Sequence, residues 1–144
     1  MSRSGLHVLR PDRPGPNRTV AALLVEDDAA ISDSLSEALR EDGWDVETAA
    51  NGRDALKVLR EGLRPCVIFL DLMMPVMDGW DFRHEQLRDP ALKDIPVVVV
   101  TAAGFSREMI RAQFGKVDVF PKPVPYRQLL EILSSISPPA SSAA

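Results

Sequence analysis

The chain has 144 residues, enough for one domain with an ordinary buried core, and its 45% hydrophobic and 26% charged residues indicate a globular protein. No apolar stretch approaches the roughly 18–20 residues of a membrane span, no secretory segment is visible, and one cysteine excludes an internal disulfide, so we expect a cytoplasmic protein. The net charge of −4 divides into +3 on residues 1–18 and −7 on the remainder, which argues against a dedicated nucleic-acid surface.

Both ends of the chain lack the periodicity of helices and strands. Residues 1–18 combine three prolines and two glycines with four arginines, and residues 137–144 contain only Pro, Ala and Ser. We predict a disordered basic tail over 1–18, one compact domain over 19–136 and a second disordered tail over 137–144. A basic tail can touch nucleic acid or a membrane, but solvated disorder is the simpler interpretation, so we expect no direct contact with either.

Between the tails, short apolar runs of strand character alternate with segments of helical periodicity. Strands are predicted at 19–25, 44–49, 65–70, 96–100 and 117–120. Helices are predicted at 29–41, 53–61, 78 or 79 to about 88, 106–114 and 125–135. The apolar positions of the first helix are Ile31, Leu35, Ala38 and Leu39. This alternation predicts an α/β fold with a doubly wound, five-stranded parallel sheet and five helices, for which the flavodoxin-like strand order 2-1-3-4-5 is common.

Four of the predicted strands end on or beside a polar side chain. Asp71 closes the third strand, Glu26 and Asp27 follow the first, Thr101 follows the fourth, and Lys122 lies close to the end of the fifth. Right-handed crossovers bring the carboxyl ends of parallel strands to one edge, so these groups should converge there. Three acids, a hydroxyl and an ammonium suit a divalent cation and a phosphoryl group.

Four sequence motifs extend this pattern. The stretches LLVEDD, VIFLDLMMPVMDG, PVVVVTA and VFPKP, in this order and spacing, strongly resemble the receiver domains of response regulators in two-component signalling. The match covers roughly residues 19–136, and four motifs in register on successive strands are highly specific. The resemblance implies a stand-alone phosphoacceptor that takes a phosphoryl group from a histidine kinase or histidine phosphotransfer protein and signals through altered protein contacts.

The resemblance also implies a Mg²⁺ site around the phosphoacceptor. Asp71 matches the phosphoacceptor itself, because a carboxylate can attack phosphorus and form an acyl phosphate. Glu26 and Asp27 match the acidic pair that holds Mg²⁺ together with Asp71 and the backbone carbonyl of Met73. Asp28 falls outside this set, and we expect it to cap the first helix.

Three further positions match groups that handle the phosphoryl oxygens. Thr101 matches the switch hydroxyl, and the neighbouring amide of Ala102 could donate a second hydrogen bond. Lys122 matches the lysine that pairs first with the bare carboxylate and later with the phosphoryl group. In the family the bond between this lysine and the following proline, here Pro123, is typically cis.

One position departs from the family pattern. The family usually has Tyr or Phe three residues before the lysine, an aromatic that swings inward upon phosphorylation, and this chain has Val119 there. Phe120 follows one residue later and, by strand alternation, should point to the opposite face. Aromatic switching at this position is therefore in doubt. The output surface expected from the resemblance is the face of the fourth helix, fifth strand and fifth helix, in a monomer or a phosphorylation-dependent dimer.

Two other functions remain open at the level of the sequence. A phosphohydrolase with an aspartyl intermediate commonly has a second acid two residues after its nucleophile, and here that position is Met73, so we expect a protein that catalyses only its own phosphorylation and dephosphorylation. A degenerate receiver that acts only as a binding module is disfavoured by the intact acids, Thr101 and Lys122, although Val119 leaves it possible.

Overall fold

The structure, a computed structural model, describes residues 18–102 and 104–136. The two predicted tails lie outside these residues, apart from Arg18, which opens the first strand and pairs with Asp45 (3.0 Å) and Glu47 (2.6 Å) around the next strand. Within the described ranges, no helix combines the length and the apolar character needed to cross a membrane.

Strands and helices alternate along the described chain. The strands are β1 (Arg18–Val25), β2 (Val46–Ala49), β3 (Leu63–Asp71), β4 (Val97–Thr101) and β5 (Asp118–Pro121). The helices are α1 (Ala29–Glu41), α2 (Gly52–Arg60), α3 (Gly79–Arg88), α4 (Arg107–Phe114) and α5 (Tyr126–Ile136). The predicted order and number of elements are confirmed, with boundaries that move by one or two residues.

The sheet is parallel throughout, with strand order β2-β1-β3-β4-β5, which confirms the predicted fold. The register pairs Val25 with Leu70 across β1 and β3, and Asp71 with Val100 across β3 and β4. The carboxyl ends of the three central strands therefore lie at the same level. The polar residues that follow them consequently reach one edge of the sheet.

Each face of the sheet is covered by its own hydrophobic cluster. Alternate strand residues, such as Ile68 and Phe69, belong to different clusters, as strand geometry requires. The α2, α3 and α4 helices cover one face and α1 and α5 cover the other. Val119 lies in the first cluster, whereas Phe120 packs against the second, so the predicted opposite orientation of these two side chains is confirmed.

The α1 helix places Leu39 in the core and Leu35 against it, as its apolar spacing indicates, but it also buries two serines. Its buried residues are Ser32, Ser36 and Leu39, whereas Ile31 is 42% exposed. The hydroxyl of Ser36 donates to the carbonyl of Asp33 (3.1 Å), so this polar group can be buried without losing a hydrogen bond. The expected cap is confirmed, because the Asp28 side chain accepts from the amides of residues 30 and 31 at the start of the helix.

The carboxyl end of α1 explains why β2 begins later than predicted. The amide of Trp44 donates to Leu39 (2.9 Å) and that of Gly43, at φ +94°, donates to Arg40 (3.0 Å). This is the hydrogen-bond pattern of a Schellman cap. Trp44 therefore belongs to the end of α1 instead of the strand, although its side chain is buried in the core.

The α5 helix is attached to α1 through its first residue. The phenol of Tyr126 donates to Asp42 Oδ2 at 2.6 Å, directly after α1 ends. Burial, this hydrogen bond and the nearby carboxylates raise the pKa of Tyr126 to about 12. The neutral phenol is thus the form that the fold stabilises.

Candidate functional site

Asp71 is the last residue of β3, and its side chain is buried apart from 7% of its surface. The chain turns back over it at once, because the amide of Gly79 donates to the carbonyl of Leu72 (2.9 Å). A Cβ atom at Gly79 would lie 2.5 Å from the Asp71 carbonyl oxygen and 2.8 Å from Leu72 Cα. Only glycine fits this contact, so the start of α3 lies directly against the backbone of Asp71.

The loop between β3 and α3 is held by backbone contacts. The amide of Met77 donates to Pro75 (2.8 Å), and Val76 between them has φ +72°, which is strained for a β-branched residue. The Met77 carbonyl in turn accepts from the amide of Gly52 at the start of α2 (2.9 Å). These contacts determine the path of the loop beside Asp71, and they leave the side chains of Met73 and Val76 exposed.

Three carboxylates gather at this edge. Glu26, Asp27 and Asp71 each offer an oxygen, and the three oxygens lie within 4.8 Å of one another. Negative charges this close repel one another, and a divalent cation relieves the repulsion. An all-oxygen donor set from carboxylates, completed by a backbone carbonyl such as that of Met73 and by water, is what Mg²⁺ prefers. The residues present therefore fit this cation.

The ammonium of Lys122 lies between two of these acids. Its Nζ donates to Glu26 Oε1 at 2.6 Å and to Asp71 Oδ2 at 2.9 Å. Partial burial by itself would lower the pKa of Lys122, but the hydrogen bonds to both carboxylates and their charges outweigh it, so the pKa is raised. The Lys122 amide donates to the Thr101 carbonyl (2.9 Å), which holds the backbone in place. The Lys122–Pro123 bond is cis, as the family resemblance implied.

Glu26 has a second role that the sequence did not reveal. Besides accepting from Lys122, it accepts through Oε2 from the amide of Asp28 (3.0 Å), so both carboxylate oxygens are engaged. Glu26 thereby joins the start of α1 to the ammonium. Glu26 and Lys122 are 96 residues apart in sequence, and no local pattern links residues at that separation.

Thr101 and Ala102 lie at the end of the neighbouring strand. Thr101 is buried and follows Val100, which pairs directly with Asp71. Its hydroxyl donates to the carbonyl of Ala102 at 3.2 Å. This single local hydrogen bond leaves the hydroxyl able to exchange partners when a better acceptor is present, since a charged oxygen is a stronger acceptor than a carbonyl.

An apolar cavity of about 350 Å³ adjoins the charged cluster. Glu26, Asp71 and Lys122 form its polar end. The remaining walls are mostly aliphatic or aromatic side chains of the sheet, α1 and α5, among them Leu24, Ile31, Leu35, Phe69, Val100 and Leu129. Apolar walls limit the number of water molecules near the charged groups and so strengthen the attraction between Lys122 and its carboxylate partners.

The geometry agrees with what the chain resembles among known proteins. The family model of the response regulator receiver domain matches residues 22–134. The chain is 35% identical over 115 residues to the transcriptional regulatory protein CpxR homolog of Haemophilus influenzae, which covers 79% of this chain and 48% of that protein. It is 38% identical over 112 residues to the response regulator MprA of Mycolicibacterium vanbaalenii, with 77% and 47% covered.

Solved structures lead to the same family. The Vibrio cholerae chemotaxis protein CheY4 superposes with a TM-score of 0.72 at 29% identity, covering 83% of this chain and 99% of that one. The chain spans about half the length of the curated relatives it matches (48% and 47%), so the similarity concerns one domain of those proteins.

Proposed function

The chain belongs to the family of response regulator receiver domains of two-component signalling, and we propose from this premise that Asp71 accepts a phosphoryl group from a phosphohistidine. The donor would be a histidine kinase or a histidine phosphotransfer protein. The observation that carries the proposal is the buried Asp71 carboxylate, 2.9 Å from the Lys122 ammonium within a cluster of three acids. Folding does not require buried charged groups at this position, because they cost stability.

The chemistry is a transfer between two nucleophiles. An oxygen of Asp71 attacks phosphorus, a P–O bond forms, and the P–N bond to the donor imidazole breaks. The imidazole nitrogen keeps the electron pair and takes a proton from solvent. Lys122 stabilises the negative charge on the transferred oxygens, and Thr101 and the Ala102 amide donate hydrogen bonds to them.

Mg²⁺ belongs to this proposal. Glu26, Asp27, Asp71 and the Met73 carbonyl would hold the cation, which supplies charge neutralisation when bound. Hydrolysis later resets the protein: water attacks phosphorus, the P–O bond to Asp71 breaks, and inorganic phosphate leaves. The chain would thus catalyse only its own phosphorylation and dephosphorylation, and it would act in the cytoplasm.

Met73 argues against turnover of an external phosphate ester. An acid at this position would protonate a leaving group, whereas the Met73 side chain has no ionisable group and is 60% exposed. The output is proposed to be altered protein contact, through the face formed by α4, β5 and α5, by a monomer or by a phosphorylation-dependent dimer. Transcriptional regulation, which the name of the Haemophilus influenzae relative states, is a property of that protein.

Phosphorylation by a small-molecule donor tests the proposal. Incubation with acetyl phosphate and Mg²⁺ should add the mass of one phosphoryl group, and Asp71→Asn should abolish the addition. Asp94→Asn, at an exposed aspartate between α3 and β4, is the matched control and should label like the wild type. Equal labelling of Asp71→Asn would reject the acceptor, and a wild-type protein that never labels would favour a binding module.

Removal of the cation with a chelator is the second test of the proposal. Removal of Mg²⁺ should stop labelling, and Glu26→Gln and Asp27→Asn should each raise the Mg²⁺ concentration needed for half-maximal labelling. Unchanged labelling in chelator would reject the metal role of these acids.

A further inference from the structure

The α4 helix is attached to α3 at both of its ends through one residue, Trp80. The Trp80 ring meets Phe105, just before α4, at 5.5 Å between centroids and 69° between planes. It meets Phe114, the last residue of α4, at 5.3 Å and 72°. Edge-to-face pairs of this kind are attractive beyond the area they bury.

The two ends of α4 are held unequally. Phe114 is almost fully buried, and its carbonyl accepts from Arg83 Nε (3.2 Å) and Nη2 (2.6 Å), while the Arg83 guanidinium lies 5.7 Å from the Phe114 ring centroid. Arg83 itself is positioned by Gln86, whose amide donates to two backbone carbonyls. Phe105 is only partly buried, and the end of α4 beside it is held by the Ser106 cap, by the packing of Phe105 against the core cluster and by its contact with Trp80.

Trp80 is also adjacent to the phosphoacceptor. It follows Gly79, whose backbone lies directly against the Asp71 carbonyl and the Leu72 Cα. Phe105 follows Thr101 by four residues, and Thr101 is the residue after the strand partner of Asp71. Two parts of the chain therefore connect Asp71 with the Trp80–Phe105 contact. The start of α3 leads to Trp80, and the end of β4 leads to Phe105.

We infer that the Trp80–Phe105 contact is the switch of this receiver, and that α4 pivots about its Phe114 end when Asp71 is phosphorylated. The inference rests on the proposed phosphorylation of Asp71. Phosphorylation supplies Thr101 with a charged acceptor, so its hydroxyl leaves the Ala102 carbonyl and turns to a phosphoryl oxygen. The end of β4 moves with it and carries Phe105 away from Trp80, while Arg83 keeps the Phe114 end in place.

The side chain at position 119 cannot act as an aromatic switch. Val119 has no ring to rotate, and it is buried in the same cluster as Ile110 and Phe114 beneath α4. Strand β5 therefore offers α4 a fixed aliphatic support. The aromatic groups able to change their contacts with α4 lie on α3 and on the β4–α4 segment.

Tryptophan fluorescence tests the inference on the full chain, which has two tryptophans. Trp44→Phe leaves Trp80 as the reporter, and Trp80→Phe leaves Trp44, buried on the opposite face, as the control. Acetyl phosphate with Mg²⁺ should shift the emission of Trp80 and increase its quenching by acrylamide, with little change at Trp44. Phe105→Leu should remove the Trp80 response while the same sample still gains the phosphoryl mass.

Amide hydrogen exchange tests the pivot. Phosphorylation should speed exchange in the first turn of α4 and leave residues 112–115 unchanged, and Arg83→Met should spread the effect to the last turn. If Trp44→Phe does not fold, the Trp80 signal is the difference between the wild type and Trp80→Phe. Full phosphoryl mass with an unaltered Trp80 signal, or with uniform exchange along α4, overturns the inference and leaves the proposed function intact. A chain that gains no phosphoryl mass overturns both.

Discussion

The carboxyl edge of the sheet and the α3–α4 contact are held together by different forces. At the edge, three acids and one ammonium from distant parts of the chain lie close together, and their like charges oppose folding. Between α3 and α4, aromatic rings and a guanidinium–carbonyl contact join residues at most 34 positions apart, and burial favours folding. Substitutions at the edge should therefore change chemistry, whereas substitutions at α3–α4 should change stability.

The largest expected effect on stability tests the α3–α4 side of this comparison. Phe114→Ala removes a fully buried ring, together with its contacts to Trp80 and Arg83, and should lower the free energy of unfolding by about 3–5 kcal/mol. Urea unfolding at neutral pH measures this change in the free energy of unfolding. Met109→Ala, at an exposed position on the same helix, is the control and should stay within about 0.5 kcal/mol. Equal losses for the two variants would contradict the importance of this contact.

The second prediction concerns the charged edge. Lys122→Met keeps the length of the side chain but leaves Asp71 and Glu26 without their cation, so phosphorylation by acetyl phosphate should nearly cease. Stability should fall by about 1–3 kcal/mol, because loss of the ammonium leaves two largely buried carboxylates without their partner. The rise in melting temperature on adding Mg²⁺ should exceed that of the wild type, since only a metal can then relieve the carboxylate repulsion. A fully active Lys122→Met protein would refute the role of the ammonium.

The third prediction separates backbone strain from chemistry at the same edge. Val76→Asn should raise the free energy of unfolding by about 1 kcal/mol, because asparagine tolerates φ +72° better than a β-branched residue. Labelling of Asp71 should be unchanged, since the Val76 side chain is 67% exposed and apolar. A stabilised protein that no longer labels would show that the strain serves phosphoryl transfer.

The smallest effect is expected at Tyr126, which belongs to neither region. Its raised pKa, about 12, means that the hydrogen bond to Asp42 stabilises the fold while the phenol is neutral. This contribution is fully present below the ordinary tyrosine pKa of about 10 and is lost as the pH rises through the folded value. Tyr126→Phe should therefore be slightly less stable than the wild type at about pH 8, and the difference should shrink at about pH 11. An equal difference in the free energy of unfolding between the two proteins at both pH values would contradict this prediction.

The sequence was a good guide wherever alternation and strand ends decide the outcome. The parallel sheet follows from apolar runs that alternate with amphipathic segments, and Asp71, Glu26 and Lys122 meet because parallel strands end on one edge. Their chemical roles rest on the family resemblance and remain proposals.

Other features depend on pairings that no local pattern encodes. The burial of Ser32 and Ser36 on α1 was not predicted, because a serine appears polar in the sequence, whereas a hydroxyl bonded to its own helix, as in Ser36, can be buried. The hydrogen bond between Glu26 and Lys122 and the position of Trp80 between two phenylalanines depend on tertiary contacts, which local sequence patterns do not encode. Trp44, predicted as the first residue of β2, lies before that strand because its amide closes α1.

Glycine at position 79 has a mechanical consequence, because it carries no side chain. With the Gly79 backbone in direct contact with the carbonyl of Asp71, no side chain separates the end of β3 from the start of α3. A displacement at the end of that strand cannot be absorbed by a rotamer change and has to appear as a movement of the helix. The proposed phosphorylation of Asp71 would therefore act on α3 through this backbone contact.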